Sequence, residues 1–271
     1  MARRLIDPDR RREQRRQERL MQAIERQYEP QIQAELAREY RKLIRDYEAG
    51  DGVKYDPEHR RNIAEILERM AGASVRVFGA RILEQGIQKG FAYTRGDGGI
   101  GFVNSYSPYF SERKDFASTL ARLAQRYVAM EAFRRHITNI TETTRAQIIS
   151  GIARGEAEGL GVAGVARFVR DLVPSLSVQR ANLIARTETH GAANYGANGA
   201  AKETGLTIRK EWVSAADERT REDHAAADGQ IVGIDEMFDV GGEGLAYPGD
   251  PSGSGENIIN CRCAVSHLVD D

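Results

Sequence analysis

Leu206-Thr-Ile-Arg-Lys-Glu-Trp-Val213 marks the point at which the apolar rhythm of this chain changes. Upstream, apolar residues return every three or four positions, the spacing of one helical face. Within the segment, Ile208 and Trp212 stand against Thr207, Arg209 and Glu211 in an approximate alternation, the spacing of a strand. Beyond it the elements become short. Arg219 to Ala227 reads as a helix with Asp217 as its N-cap, and Ile231-Val232 as a short strand. Gly241 to Gly255 reads as an extended loop of Gly and Pro, and Cys263 to Leu268 as a final strand. The tail is therefore a small α+β unit.

Upstream the pattern is helical almost throughout. Ile24, Tyr28, Ile32, Leu36, Tyr40, Ile44 and Tyr47 predict a helix from about 8 to 48, with Pro30 expected either to kink it or to begin a new one. Gly50-Asp51-Gly52 stops it. Asp56-Pro57 opens a second helix, whose apolar face runs through Ile63, Leu67, Met70, Phe78 and Ile82 to about Lys89. Four glycines within 95–101 predict a loop, which lacks the Gly-Lys-Ser/Thr of a P-loop and the preceding apolar strand of a dinucleotide fingerprint. A third long helix is expected from about Lys114 to Ser150. The glycines from Gly151 to Gly164 then predict shorter pieces near 143–155, 162–173 (ending at Pro174) and 177–204. The expected fold is mainly α with a small C-terminal α+β domain. It has long N-terminal helices, a helical middle region and a loop-rich tail with a few short strands. Three successive regions are expected: a charged helical extension at 1–110, a helical region at 111–204 and the α+β domain at 205–271.

Charged residues make up 29% of the 271 positions, an excess that suits long solvated helices. The net charge of −1 hides an asymmetry, because the first 19 residues hold eight arginines against four acids. Arg10, Arg11, Arg12, Arg15 and Arg16 are candidate contacts to nucleic acid or to an acidic protein surface; a solvated helix end is the alternative. No apolar run is long enough for a transmembrane helix, and no secretory h-region follows the first arginines, so no membrane partner is expected. Two cysteines one residue apart form no disulfide framework, which points to folding in a reducing cytoplasm.

The tail also gathers the rare residue types: the single tryptophan, both cysteines and two of the five histidines. Asp217, His224, Cys261 and Cys263 offer the donor types of a tetrahedral zinc shell, and a structural zinc would hold a unit with few apolar residues. A second reading buries the cysteines as small strand residues, with arginines pairing to Asp217, Asp223, Asp250 or Glu256. A third makes a cysteine the nucleophile, His224 its base and Asp217 the orienting acid. Zinc-deaminase and zinc-protease spacings are absent. The polar run Ala185-Arg-Thr-Glu-Thr-His190 lies late in a helix, and Arg186 or Glu188 is expected to reach the tail.

Taken in order, Ile184-Ala-Arg-Thr-Glu188, Trp212-x4-Asp217-x-Arg-Thr-Arg221-x2-His224-x4-Gly229-x2-Val232, Phe238, Pro248-Gly-Asp-Pro251 and Glu256-x3-Asn260-Cys-Arg-Cys263 resemble the phage Mu F-like minor head protein family, also called phage head morphogenesis proteins. The resemblance covers about residues 140–268. It implies a minor capsid protein of a tailed bacteriophage or prophage, made in the host cytoplasm and carried in the virion at the capsid interior or portal vertex. The implied partners are portal and capsid or scaffold proteins, with DNA contacted without sequence preference. The family implies no enzymatic activity; the alternative is a metal- or cysteine-dependent hydrolase acting in head maturation.

Overall fold

A computed structural model describes residues 3–4, 10–88, 92–94, 100–102, 113–204 and 206–269. Its elements run β1 (Arg3–Arg4), α1 (Arg10–Glu48), α2 (Pro57–Gln88), β2 (Ala92–Thr94), β3 (Ile100–Phe102), α3 (Arg113–Ala129), α4 (Glu131–Ala157), α5 (Val162–Glu203), β4 (Ile208–Val213), α6 (Glu222–Ala226), β5 (Ile231–Gly233), β6 (Phe238–Val240), β7 (Glu243–Leu245), α7 (Gly255–Ile258) and β8 (Ala264–Val269). The mainly α chain with short antiparallel strands in its tail matches the expected class. The centre of the glycine-rich loop, residues 95–99, lies outside the described residues.

Several boundaries differ from the sequence reading. α1 is a single helix through Pro30, and α5 a single helix through Pro174. A proline inside a helix costs roughly 3 kcal/mol. Burying a large aliphatic side chain contributes about 1.5–3 kcal/mol, and Ile32, Leu36 and Leu43 are all fully buried after Pro30. Packing outweighs the local penalty. The expected third helix is instead two, α3 and α4, separated at Met130 by a turn in which its N–H donates to the Tyr127 carbonyl at 3.1 Å. Gly151 and Gly155 do not break α4; Val169 and Val165 pack where a Cβ would stand.

The contacts group the chain into two compact units that are not successive segments. One comprises 25–69 and 131–186, the other 1–24, 70–130 and 187–271. The division falls inside α1, α2 and α5, because helices this long supply residues to both, whereas the sequence reading expected three consecutive regions.

The first unit is all helical. Its core includes Ile32, Leu36, Tyr40, Leu43, Ile63, Leu67, Phe133, Ile148 and Val165. Polar clips fix it: His59 Nδ1 lies 2.9 Å from Glu35, Arg38 pairs with the same carboxylate at 2.8 Å, and Arg180 donates to the Ile140 carbonyl at 3.1 Å. Asp56 caps α2 by accepting the Glu58 N–H at 2.9 Å, as the Asp-Pro start predicts.

The second unit carries the tail. An antiparallel sheet of order β1-β8-β4-β5 pairs Ile208 with Val269 and Val213 with Ala264, and Arg209 with Gly233. β6 and β7 form a separate hairpin, so a strand occupies part of what the sequence presented as loop. The C-terminal half of α5 is lined with buried Ala192, Ala193, Ala197, Ala200 and Ala201. A Cβ on Gly196 would stand 2.7 Å from Val75 Cα, so α2 and α5 meet there backbone to backbone.

Candidate metal centre

Trp212 is the floor of the site. Placed on β4 by the alternation of that strand, it is fully buried, with the His224 ring edge-on at 5.5 Å and Phe238 edge-on at 5.4 Å. Its N–H donates to the Gln230 carbonyl at 3.0 Å, and its carbonyl accepts the Gly229 N–H at 2.9 Å. Gly229 has φ +83, a conformation L side chains rarely adopt, and this turn brings the chain from α6 back to β5. α6 is therefore held over the sheet.

Asp217 does not cap α6, because α6 begins later than the sequence suggests. Arg221 occupies the N-cap position with no side-chain cap. Asp217 instead closes its own turn: it accepts the Arg219 N–H at 3.0 Å and the Thr220 hydroxyl at 3.2 Å. Arg262 grips both its oxygens, Nη2 donating to Oδ1 at 2.6 Å and Nη1 to Oδ2. The arginine hydrogen bonds hold the Asp217 carboxyl well below the usual carboxylate range. This is one of the Arg–Asp pairs expected of the tail. Asp250, by contrast, is buried and accepts the Ala246 and Ser252 N–H groups, each at 2.9 Å.

His224, Cys261 and Cys263 do come together. All three are buried, at 2%, 1% and 2% exposure, and their donor atoms lie within 4.8 Å of one another. His224 Nδ1 faces Cys263 Sγ at 3.3 Å and Cys261 Sγ at 3.6 Å. The Cys-x-Cys spacing explains how both sulfurs reach one nitrogen. In an extended run residues i and i+2 share a side, so Arg262 is directed to the other, toward Asp217. Asn260, at φ +59, turns the chain into this run, and its N–H is held by Thr187 Oγ1 at 3.1 Å. Cys263 is engaged by Cys261 and buried, which pushes its thiol up; for Cys261 burial opposes ionisation, but hydrogen bonds from Cys263 and the charges of Arg221 and Arg262 outweigh it, so that thiol is lowered.

A small cleft of about 10 Å³ opens on the cluster, lined by Thr220, Arg221, His224, Asn260 and both cysteines among others. That is room for about one water, not for a peptide substrate.

The sequence placed the link between the polar run of α5 and the tail on Arg186 or Glu188. Arg186 faces Glu25 at 3.8 Å, and Thr187 and Asn194 of the same helix contact the tail. Asn194, fully buried, accepts the Val265 N–H at 3.1 Å. An amide in a run of Ala and Gly was its only signal.

The basic end of α1 divides in two. Arg10 reaches Asp228 at 2.9 Å, Glu211 at 2.9 Å and the Trp212 carbonyl at 3.2 Å; Arg11 reaches Asp228 at 2.7 Å and the Ser214 carbonyl. Arg12, Arg15 and Arg16 are exposed. Two of the five arginines considered for nucleic acid are thus anchors of α1 on the tail.

A family described as Phage Mu protein F like protein matches residues 142–266. These residues run from within α4 to β8 and include every residue of the His224 cluster and the Asp217–Arg262 pair. Among curated proteins, the chain is 32% identical over 173 residues to the minor head protein GP7 of Bacillus phage SPP1, covering 61% of this chain and 55% of that one. It is 32% identical over 126 residues to the NAD(+)–arginine ADP-ribosyltransferase EFV of Enterococcus faecalis, covering 45% of this chain and 26% of that one. It is 24% identical over 141 residues to the uncharacterized protein YqbB of Bacillus subtilis, covering 50% of this chain and 46% of that one. The chain thus spans about half or less of the length of these relatives. No solved structure matches it. The match covers only 26% of the transferase's length, so that protein's name carries no activity across.

Proposed function

We propose that this protein is a minor head component of a tailed bacteriophage or prophage, acting in head morphogenesis and carried in the virion. The observation that carries the reading is the 32% identity to the minor head protein GP7 over 173 residues, alongside the family match at 142–266. The fold is compatible with it. A tail unit clasped by α1 and α5 and a separate helical unit offer two bodies for contacts to other head proteins, and we assign those partners to the portal and to capsid or scaffold proteins. Exposed Arg12, Arg15 and Arg16 supply the charge for a phosphate contact without sequence preference.

Deleting the gene from the phage or prophage that encodes it tests the role. Loss of DNA-filled heads, restored by supply in trans, and detection of the chain in purified particles by mass spectrometry are the expected results. Normal particle yield without the gene, with the chain missing from wild-type particles, would refute the role.

A further inference from the structure

We propose that His224 Nδ1, Cys261 Sγ and Cys263 Sγ are the three protein ligands of a zinc ion whose fourth position faces the cleft beside Thr220 and Asn260. Four observations carry this.

The first is the geometry. With Zn–N near 2.05 Å and Zn–S near 2.3 Å, the nitrogen-to-sulfur edge of a tetrahedron is about 3.6 Å. His224 Nδ1 lies 3.3 Å and 3.6 Å from the two sulfurs. A ring nitrogen carries at most one hydrogen and would aim it at one acceptor. Two sulfurs at nearly equal distance from it instead form three vertices of a coordination shell.

The second is the chemistry of the donor set. Two thiolates and an imidazole select zinc among common divalent ions, whereas magnesium and calcium take oxygen. Two thiolates also neutralise the ion, so it could be buried beside Trp212 without a net charge.

The third is the state of the remaining candidate. Asp217 is committed to Arg262, the Arg219 N–H and Thr220, and it does not belong to the group of mutually close donor atoms. The shell therefore has three protein ligands and one position for a water, which the cleft of about 10 Å³ accommodates.

The fourth is what the ion would join. It would tie α6, a helix of five residues, to the run that leads into β8, closing a segment built of elements three or four residues long. Segments this short hold little structure unaided, and a metal clip supplies the missing constraint.

The test uses the full, untagged chain, expressed with zinc in the medium and purified without chelator. Mass-spectrometric metal analysis should find about one zinc per chain, falling at least tenfold in Cys261→Ser, Cys263→Ser and His224→Asn and unchanged in Asp217→Asn. Because ligand variants can misfold, the decisive measurement is on the wild-type chain. Exchange into cobalt(II) should give the thiolate-to-cobalt charge-transfer band and the intense d–d absorption of a tetrahedral site, with quenching of Trp212, the only tryptophan, whose ring lies 5.5 Å from His224. Substoichiometric zinc after supplementation, or a cobalt adduct without the sulfur band, would overturn the proposal. Loss of zinc in folded Asp217→Asn equal to that in Cys263→Ser would overturn the three-ligand shell.

Discussion

Asp228→Asn is the substitution whose consequence the structure defines most closely. The carboxylate accepts Arg10 Nη1 at 3.1 Å and Arg11 Nη2 at 2.7 Å on one oxygen, and Arg10 Nη2 at 2.9 Å and the Ser214 N–H at 2.8 Å on the other. An asparagine keeps the second oxygen but turns the first into an NH2 group, so two donors meet a donor. A fully buried charged hydrogen bond contributes about 1.5–3 kcal/mol. Here the side chains are 19% to 32% exposed, which brings each toward the upper range of surface pairs, about 1 kcal/mol. Arg10 retains Glu211 and the Trp212 carbonyl, so the loss falls mainly on Arg11. The expected cost is about 2 kcal/mol, or about 4–8 °C in Tm for a chain of this length.

The pH dependence of the same group supplies a control. Burial opposes ionisation of Asp228, but the Ser214 N–H and the two arginines outweigh it, and its pKa in the fold is lowered from 3.8. A carboxyl depressed on folding contributes stability above its unfolded pKa and loses it as pH falls through the folded one. Thermal melts of wild type and Asp228→Asn should thus differ at pH 7 and begin to draw together only as pH falls below about 4, toward the lowered pKa of the folded state. Equal melting temperatures at pH 7 and low salt, with equal rates of proteolysis near residues 10–20, would refute the clasp.

Three further outcomes follow from the geometry. Gly191→Ala places a Cβ 2.5 Å from the Gly249 carbonyl oxygen and 2.9 Å from the Tyr127 hydroxyl, so chemical denaturation should show a loss of about 1–3 kcal/mol. Buried His267, driven down to about 3 by desolvation and by nearby Lys210, binds its proton only on unfolding; stability should fall as pH drops from about 6.5 toward 3, and His267→Gln should flatten that limb in pH-dependent melts. Arg15→Glu and Arg16→Glu together should weaken binding to duplex DNA and lower the slope of log K against log salt by up to about two contacts' worth, with Tm little changed; an unaltered slope removes these arginines from any DNA contact.

Much of the fold was legible because long helices and the strand at Trp212 repeat their signal over many residues. The misreadings share one cause, namely that the deciding contact lies far away in sequence. Pro30 and Pro174 look like helix breaks locally, and only the burial of stripes such as Ile32 and Leu36 overrides them. Met130 interrupts a helix with neither glycine nor proline to announce it. An aspartate two residues before an N–H partner serves an N-cap and an Asx turn equally well, so Asp217 was assigned to the wrong role. The His224 cluster was visible as composition, but which of the four donors converge depended on the turn at Asn260 and on Arg262 claiming Asp217.

The same long-range pairing governs how the basic end of α1 can be studied. Gln14 donates to the Arg262 carbonyl at 3.1 Å, between the two cysteines. Arg10 and Arg11 hold the Trp212 and Ser214 carbonyls, at the end of the strand that underlies His224. Glu13, one face round the helix, meets Arg81 at 2.6 Å. The first two turns of α1 are thus a wall of the tail unit rather than an appendage to it. A truncation that removes them to ask about DNA or portal binding would also unclasp β4 and the Cys-x-Cys run, and loss of the proposed head role would follow whether or not these residues touch a partner. Charge reversal at the exposed Arg15 and Arg16, with Arg10, Arg11, Arg12 and Gln14 intact, separates the two roles. Defective particles from a protein whose Tm is preserved assign the outward face to a partner, and intact particles leave α1 only its clasping role.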